Sequence, residues 1–286
     1  MTAILLAMAA AVFLGSGLVL TPLGLKHVHP LSGAAISIPT FTLFFLLLSP
    51  VLLREQVIVW SAVPIFAAVG LVFPALLTLL TFAGNRALGP VVTASLGNIS
   101  PLFSVLLAVA LLAEPLHALQ FAGLLLIVGG ILAITIARRA DARDWRTLAL
   151  LLPLGAALLR GLMPPVIKVG LEIWPSPIAA GLTGYIFSTL TVLVVERVRN
   201  GRFLVRAPLP GRLWFAVIGL CNGLGTLLLY AALGAGPVTV VAPLVAAYPL
   251  VTVVGTLLLQ GKVDGGLRVV AGAVLTVTGV VLLLIA

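Results

Sequence analysis

The sequence predicts an all-α integral membrane protein with ten transmembrane helices arranged as two inverted five-helix repeats. Three observations carry that prediction. The chain has 286 residues, 62% hydrophobic and 8% charged, with a mean hydropathy of +1.31; a soluble domain carries about 45–50% and about 25%. Apolar runs near the ~20 residues needed to cross a bilayer follow one another along almost the whole chain. A pattern of prolines and glycines then recurs at an offset of 145 to 149 residues, about half the length.

The spans are expected at about 2–25, 30–53, 57–83, 87–112, 116–137, 146–171, 176–196, 212–233, 237–259 and 265–286. The longest polar stretches, 138–146 and 197–212, are too short to fold alone. Met1-Thr2-Ala3-Ile4 offers no basic region ahead of the first apolar run, so span 1 is expected to be a retained helix and not a signal peptide. Trp60, Trp145, Trp174 and Trp214 fall near span ends, where indoles favour the membrane interface; Trp174 also suits a packed core. Such a composition excludes a water-soluble enzyme or a nucleic-acid-binding module. The net charge of +9 belongs to membrane topology. Loops after the odd spans hold Lys26, Arg86, four Arg between 138 and 146, five Arg between 197 and 212, then Lys262 and Arg268, whereas loops after even spans hold only Arg54. The imbalance places the odd loops in the cytoplasm and both termini outside.

The repeat is legible in detail. Ala87-Leu88-Gly89-Pro90 returns as Ala232-Leu233-Gly234-Ala235-Gly236-Pro237, and each opens a span with a second proline, Pro101 or Pro249. Ala122-Gly123 with Gly130 returns as Ala271-Gly272 with Gly279. The expected organisation is a first repeat at 1–137, a basic connection at 138–145 and a second repeat at 146–286. Five helices per repeat is an odd number, so the second copy starts on the opposite side of the membrane. Inverted repeats of this kind build secondary transporters, with the substrate near the midplane. The glycine pairs are expected to let two helices approach closely.

Pro101 lies 11 residues after Pro90 and Pro249 lies 12 after Pro237, about 17 Å deep at ~1.5 Å per residue. Proline removes a helix hydrogen bond and frees a carbonyl four residues back, here at Gly97 and Val245. In lipid such groups are tolerated where protein or a wet cavity satisfies them. Pro74, Pro164-Pro165 and Asn222-Gly223-Leu224-Gly225 mark breaks in spans 3, 6 and 8 in the same way. Hinges are therefore expected at Pro74, Gly97, Pro101, Pro164 and Pro249, and polar or aromatic contacts to a solute at Phe73, Thr78, Ser95, Asn98, Asn222, Tyr230 and Tyr248. Each residue alone has an ordinary packing role open to it; the matched set favours a cavity.

All seven acids, Glu55, Glu114, Asp141, Asp144, Glu172, Glu196 and Asp264, fall at or near span ends, which argues against a proton relay through a mid-membrane carboxylate. Arg160 stands apart, following the apolar run 148–159. A charge there faces a cavity or a partner. It can bind an anionic group of a solute, or bond the carbonyls freed by Pro164 and Pro165; both remain open. The single Cys221 excludes an internal disulfide or a cysteine metal site. No catalytic motif, metal ligand set or cofactor site is visible, and no enzyme activity is expected.

Ten helices in two repeats, the Ala-Leu-Gly-(x-x)-Pro opening of spans 4 and 9, Pro101, Pro249 and Glu114 together resemble the drug/metabolite transporter superfamily, in particular its EamA-type exporters, and among those the YddG-type aromatic amino acid exporters. The resemblance covers nearly the whole chain. It implies broad-specificity efflux of amino acids and related small metabolites across a bacterial inner membrane by alternating access, with the lipid bilayer and a small solute as partners and a monomer as the working unit. Multidrug or sugar-phosphate transport, or a non-transporting receptor or scaffold, are the alternatives. Two features depart from the pattern: Gln260 and Lys262 stand where the first repeat has Glu114, and the loop charges place the termini opposite to the family's usual arrangement.

Overall fold

The computed structural model describes residues 1–54, 56–88, 93, 96–136, 147–260 and 266–285. Among the described residues the chain is helical with no strand. We label the helices α1 (Thr2–Leu25), α2 (Pro30–Leu52), α3 (Val63–Leu88), α4 (Ser100–Leu112), α5 (Ala118–Ile136), α6 (Leu151–Ile173), α7 (Pro177–Asn200), α8 (Leu209–Ala235), α9 (Val238–Ala246), α10 (Tyr248–Gln260) and α11 (Gly266–Ile285), with a 3₁₀ turn at Thr147–Leu150 ahead of α6. Among the described residues six segments are long and apolar enough to cross a membrane: Thr2–Leu25, Pro30–Leu52, Leu151–Ile173, Pro177–Asn200, Leu209–Ala235 and Val238–Leu258. Val63–Val72, Ser100–Leu112, Ala118–Ala133 and Val269–Ile285 are shorter apolar helices. Trp145, Pro90, Glu55, Lys262, Asp264 and the basic run 138–146 lie outside the described residues.

Helix ends follow local chemistry. Ser176 caps α7, its hydroxyl accepting from the Ala179 amide at 3.3 Å, with Pro177 pre-set for the first turn. Gly201 ends α7 in the left-handed region at φ +72°, its amide donating to the Arg197 carbonyl. The His29 ring caps α2 by accepting from the Leu31 amide. Along the helices Thr21, Thr40, Thr183 and Thr191 turn their hydroxyls back onto carbonyls four residues earlier, which satisfies them without a partner helix.

Two compact units divide the chain: Met1–Ala75 with Val166–Ala235, and Leu76–Pro165 with Gly236–Ala286. Each unit draws on both sequence repeats. The chain passes from one to the other inside α3 beside Pro74, inside α6 at Pro165, and just before Pro237.

In the first unit α8 is the hub. It runs antiparallel to α1, with Asn222 against Gly17 and Leu14 against Gly225, and parallel to α2, with Gly219 against the Ser37 backbone and Gly223 against the Phe41 ring. α2 runs antiparallel to α7: Thr42 Oγ1 meets Thr189 Oγ1 at 2.8 Å, and Ser32 meets Glu196 ten residues earlier on α2. Small residues at these crossings bring backbones together, which drives helix association where lipid is as apolar as the side chains.

In the second unit α5 and α11 form an antiparallel pair faced with glycine. A Cβ on Gly123 would lie 2.8 Å from the Gly279 carbonyl oxygen, and one on Gly279 would lie 2.5 Å from that of Gly123. A Cβ on Gly130 would lie 2.5 Å from the Gly272 carbonyl and collide with the Thr276 hydroxyl. The repeated glycines thus serve helix packing, as their spacing suggests.

The expected kinks at Pro101 and Pro249 are full interruptions. One helix ends and another begins, so each proline sits in the first turn of a new helix, where its missing amide is no loss. The two breaks share one hydrogen-bond pattern. The Ile99 amide donates to Leu96 and that of Leu102 to Ile99; the Ala247 amide donates to Leu244 and that of Leu250 to Ala247. Every one of these residues has its counterpart 148 positions away.

Spans 3, 6 and 8 differ from expectation. α3 continues through Pro74, α6 through Pro164 and Pro165, and α8 through Asn222 and its glycines. The missing proline amides remove two bonds from a helix of 23 residues, and in a membrane helix neighbouring segments support the loss. Here Gly161, one turn before the pair, lies directly on α4, where a Cβ would come within 2.7 Å of the Ser100 carbonyl. Span 3 also starts later than expected, at Val63, leaving Trp60 in the preceding turn and 74% exposed.

Candidate functional site

The interruption of span 4 gathers polar groups in the second unit. Gly97 is buried, Asn98 is half-buried in the turn, and α4 begins at Ser100. Arg160 reaches this break from α6: its Nη1 lies 3.7 Å from where a Cβ on Gly97 would stand. A Cβ there would make only ordinary van der Waals contact, so the guanidinium lies beside Gly97 without depending on its missing side chain. Gly161, the next residue, packs on Ser100, Phe103 and Ser104, so α6 is fixed against the first turn of α4. The Ser104 hydroxyl, 2% exposed, has no hydrogen-bond partner among the described residues.

This arrangement suits an anionic group. The N-terminus of α4 contributes the positive end of a helix dipole. A guanidinium has five N–H donors in a planar fork, enough to support carbonyls at the end of the preceding helical turn and still hold a carboxylate. Asn98 adds an amide that both donates and accepts.

The other expected contacts distribute as follows. Tyr248 opens α10 at the second break and is half-buried, with Pro249 beside it. In the first unit, Asn222 is wedged against Gly17 of α1, while its carbonyl accepts from Thr226 at 2.8 Å. Tyr230 is 4% exposed; its ring lies 6.3 Å from Phe66, which also meets Trp174 at 6.5 Å. That trio is a packed aromatic core, and it buries Trp174 within the protein. Asn222 and Tyr230, eight residues apart on α8, therefore face different neighbours. Ser95 and the side chains of Phe73, Pro74 and Thr78 lie outside the described residues.

Sequence reasoning missed three polar contacts. Glu114 follows α4, whose cap Ala113 adopts a left-handed turn at φ +51°, and its two carboxylate oxygens accept from the Val238 and Thr239 amides at 2.8 Å each. The acid thereby caps α9 and complements its dipole. The signal was present: an acid just past one broken span and Pro237 just before the other. Lys168 donates from Nζ to the Leu233 carbonyl at 2.8 Å, in the last turns of α8. Glu196 lies near the end of α7, as expected of the acids, yet it is only 4% exposed.

Glu196 lines a cavity of about 330 Å³ at one end of the first unit, formed by the 27–29 and 202–207 stretches together with Ser32 and Asn200. Arg202 and Arg206 border the same space. At its rim Arg199 Nη1 meets His29 Nδ1 at 2.8 Å. Desolvation, then the Arg199 charge, hold the His29 pKa below its ordinary value against the opposing pull of Glu196.

The comparisons decide the family. The EamA-like transporter family model matches residues 1–136 and again 147–285. The chain belongs to the EamA-like transporter family. It is accordingly a multi-pass membrane transporter of the drug/metabolite superfamily, built from two repeats, in a family of transporters and not of enzymes. Among curated proteins none matches. Solved structures do, among them a crystal structure of a protein 16% identical, covering 98% of this chain and 95% of that one with a TM-score of 0.80; at that identity the likeness concerns the fold.

Proposed function

We propose that this protein is a secondary or facilitative transporter that moves amino acids, aromatic ones and related small amphiphilic metabolites among them, out across a bacterial inner membrane by alternating access with broad specificity. The observation that carries the proposal is the guanidinium of Arg160 at the interrupted span 4, beside Gly97 and the start of α4. The substrate carboxylate binds there, with Asn98 at its side. Tyr248, at the second break of the same unit, is assigned to the solute side chain, and Thr78 and Ser95 to its polar groups.

Ten spans in two inverted repeats are the architecture that we assign to this carrier, with repeats at 1–137 and 146–286 joined by 138–145. Helix directions support it. Spans related by the repeat must be antiparallel, and α2 with α7 and α5 with α11 are. The end of span 4 also meets the beginning of span 9 through Glu114. The contact of Ser32 with Glu196 requires an even number of crossings between them, which agrees with spans 2 to 7. With the odd loops cytoplasmic, both termini face outside. The hinges assigned are Gly97, Pro101 and Pro249 at the interruptions, and Pro74 and Pro164 where α3 and α6 pass between units. The working protein is assigned as a monomer without cofactor.

The test is counterflow of labelled phenylalanine in proteoliposomes, with and without a pH gradient. Saturable exchange that ignores the gradient is the expected result. Absence of exchange by folded protein would remove the amino acid assignment and direct the search to other metabolites.

A further inference from the structure

We propose that the cavity at the end of the first unit binds a zwitterion: a primary ammonium recognised by Glu196, with an adjoining anionic group recognised by Arg202 and Arg206. Glu196 is 4% exposed, and its bonds are to neutral groups. The Ser32 hydroxyl donates to both oxygens at 3.2 Å and the Asn200 amide donates to Oε1 at 2.7 Å. Among the described residues no basic nitrogen comes within ion-pair reach of it. A buried carboxylate without a cation is strongly unfavourable, and a membrane protein that keeps one generally uses it.

The carboxylate has about four acceptor positions. Oε2 receives only a shared hydroxyl, so capacity remains on the cavity side. An ammonium supplies a direct ion-pair partner together with N–H donors.

The occupant cannot be a simple cation or a simple anion. A cation alone would leave Arg202 and Arg206 without a role and feel their repulsion. An anion alone would meet Glu196. A molecule carrying both charges satisfies both sides, and a guanidinium binds carboxylate and phosphate equally well. The cavity of about 330 Å³ is at the small end of ligand pockets, which begin near ~300 Å³. It is built from two interhelical loops and helix ends, the level at which bilayer headgroups lie. Two sources share this chemistry: a free α-amino acid, and the headgroup of an aminophospholipid. The site is independent of the transport assignment, because it is read by binding and not by flux.

The test is native mass spectrometry of the full-length protein, delipidated in detergent and titrated with ethanolamine, choline or glycerol phospholipids of equal chain length. A parallel arm adds free phenylalanine or glycine. Wild type is expected to retain the ethanolamine lipid at least tenfold over the other two, since choline lacks N–H donors and glycerol lacks the cation. Displacement by free amino acid identifies the solute as the source, and retention in its presence identifies the headgroup. Glu196→Gln is expected to abolish the preference. The exposed pair Arg202→Ala/Arg206→Ala, which leaves the helices untouched, is expected to weaken ethanolamine and glycerol lipids alike about tenfold. Equal retention of all three lipids by wild type with no amino acid binding overturns the proposal, as does a preference that survives both sets of substitutions.

Discussion

Arg160 shows how a single side chain acquires a role from its surroundings. The residue stands out in the sequence because it ends a long apolar run, but sequence alone leaves its partner open. The structure brings its guanidinium close to Gly97 at the break. If the guanidinium holds a substrate carboxylate, Arg160→Gln should lower transport of carboxylate-bearing solutes at least tenfold while sparing neutral analogues, measured as competition in counterflow. An equal loss for both would assign the residue to the backbone instead. Glu114 acts through local chemistry of another kind. Its carboxylate takes two amides at the start of α9, and bonds of a charged acceptor are worth about 1.5–3 kcal/mol. Glu114→Ala should therefore destabilise the protein by ~1–3 kcal/mol, read as a lower melting temperature in detergent, with Glu114→Gln between the two. The sequence showed the acid and Pro237 at their span ends but not that they meet, because the acid and the amides it caps are more than a hundred residues apart. At the matching place in the second repeat the sequence has Gln260 and Lys262 and no acid.

At the scale of elements, the helices were largely readable because a membrane demands long apolar runs and internal backbone hydrogen bonding. The glycine face of α5 and α11 was readable for a related reason: spacing of small residues needs no knowledge of the partner to suggest close approach. The structure sharpens it into a contrast between neighbours. Gly130 meets the Gly272 carbonyl and the Thr276 hydroxyl, whereas a Cβ at Gly129 meets nothing within 4 Å. Gly130→Ala should force the pair apart and destabilise by about 1–3 kcal/mol, the usual penalty of overpacking. Gly129→Ala should be neutral or stabilising. Thermal unfolding of the two variants side by side checks this. Prolines were less legible. The same residue type ends a helix at Ile99–Ser100 and Ala247–Tyr248 and passes through a continuous helix at 164–165. The difference lies in the hydrogen bonds on either side, which composition does not encode.

The whole molecule combines two organisations of one chain. Sequence divides it at the middle into two matched repeats, and the family model finds both halves. Packing divides it differently, into units that each take helices from both repeats. The repeat was legible because proline and glycine matches recur at one offset. The exchange of helices was not, because it depends on which apolar faces meet, and apolar faces in lipid look alike. Aromatic residues illustrate the limit: Tyr230 and Trp174 share one composition with any cavity wall, yet they lie in a core with Phe66. The two interruptions join the organisations. They are equivalent in the repeat, they lie in one unit, and they bear the same hydrogen-bond pattern. Transport is proposed to turn on them. The most direct measurement is phenylalanine counterflow by Pro101→Ala and Pro249→Ala, paired with the melting temperature of each. Prolonging the helix across the break should lower flux at least tenfold while the melting temperature holds or rises. Wild-type flux in both folded variants would contradict the account.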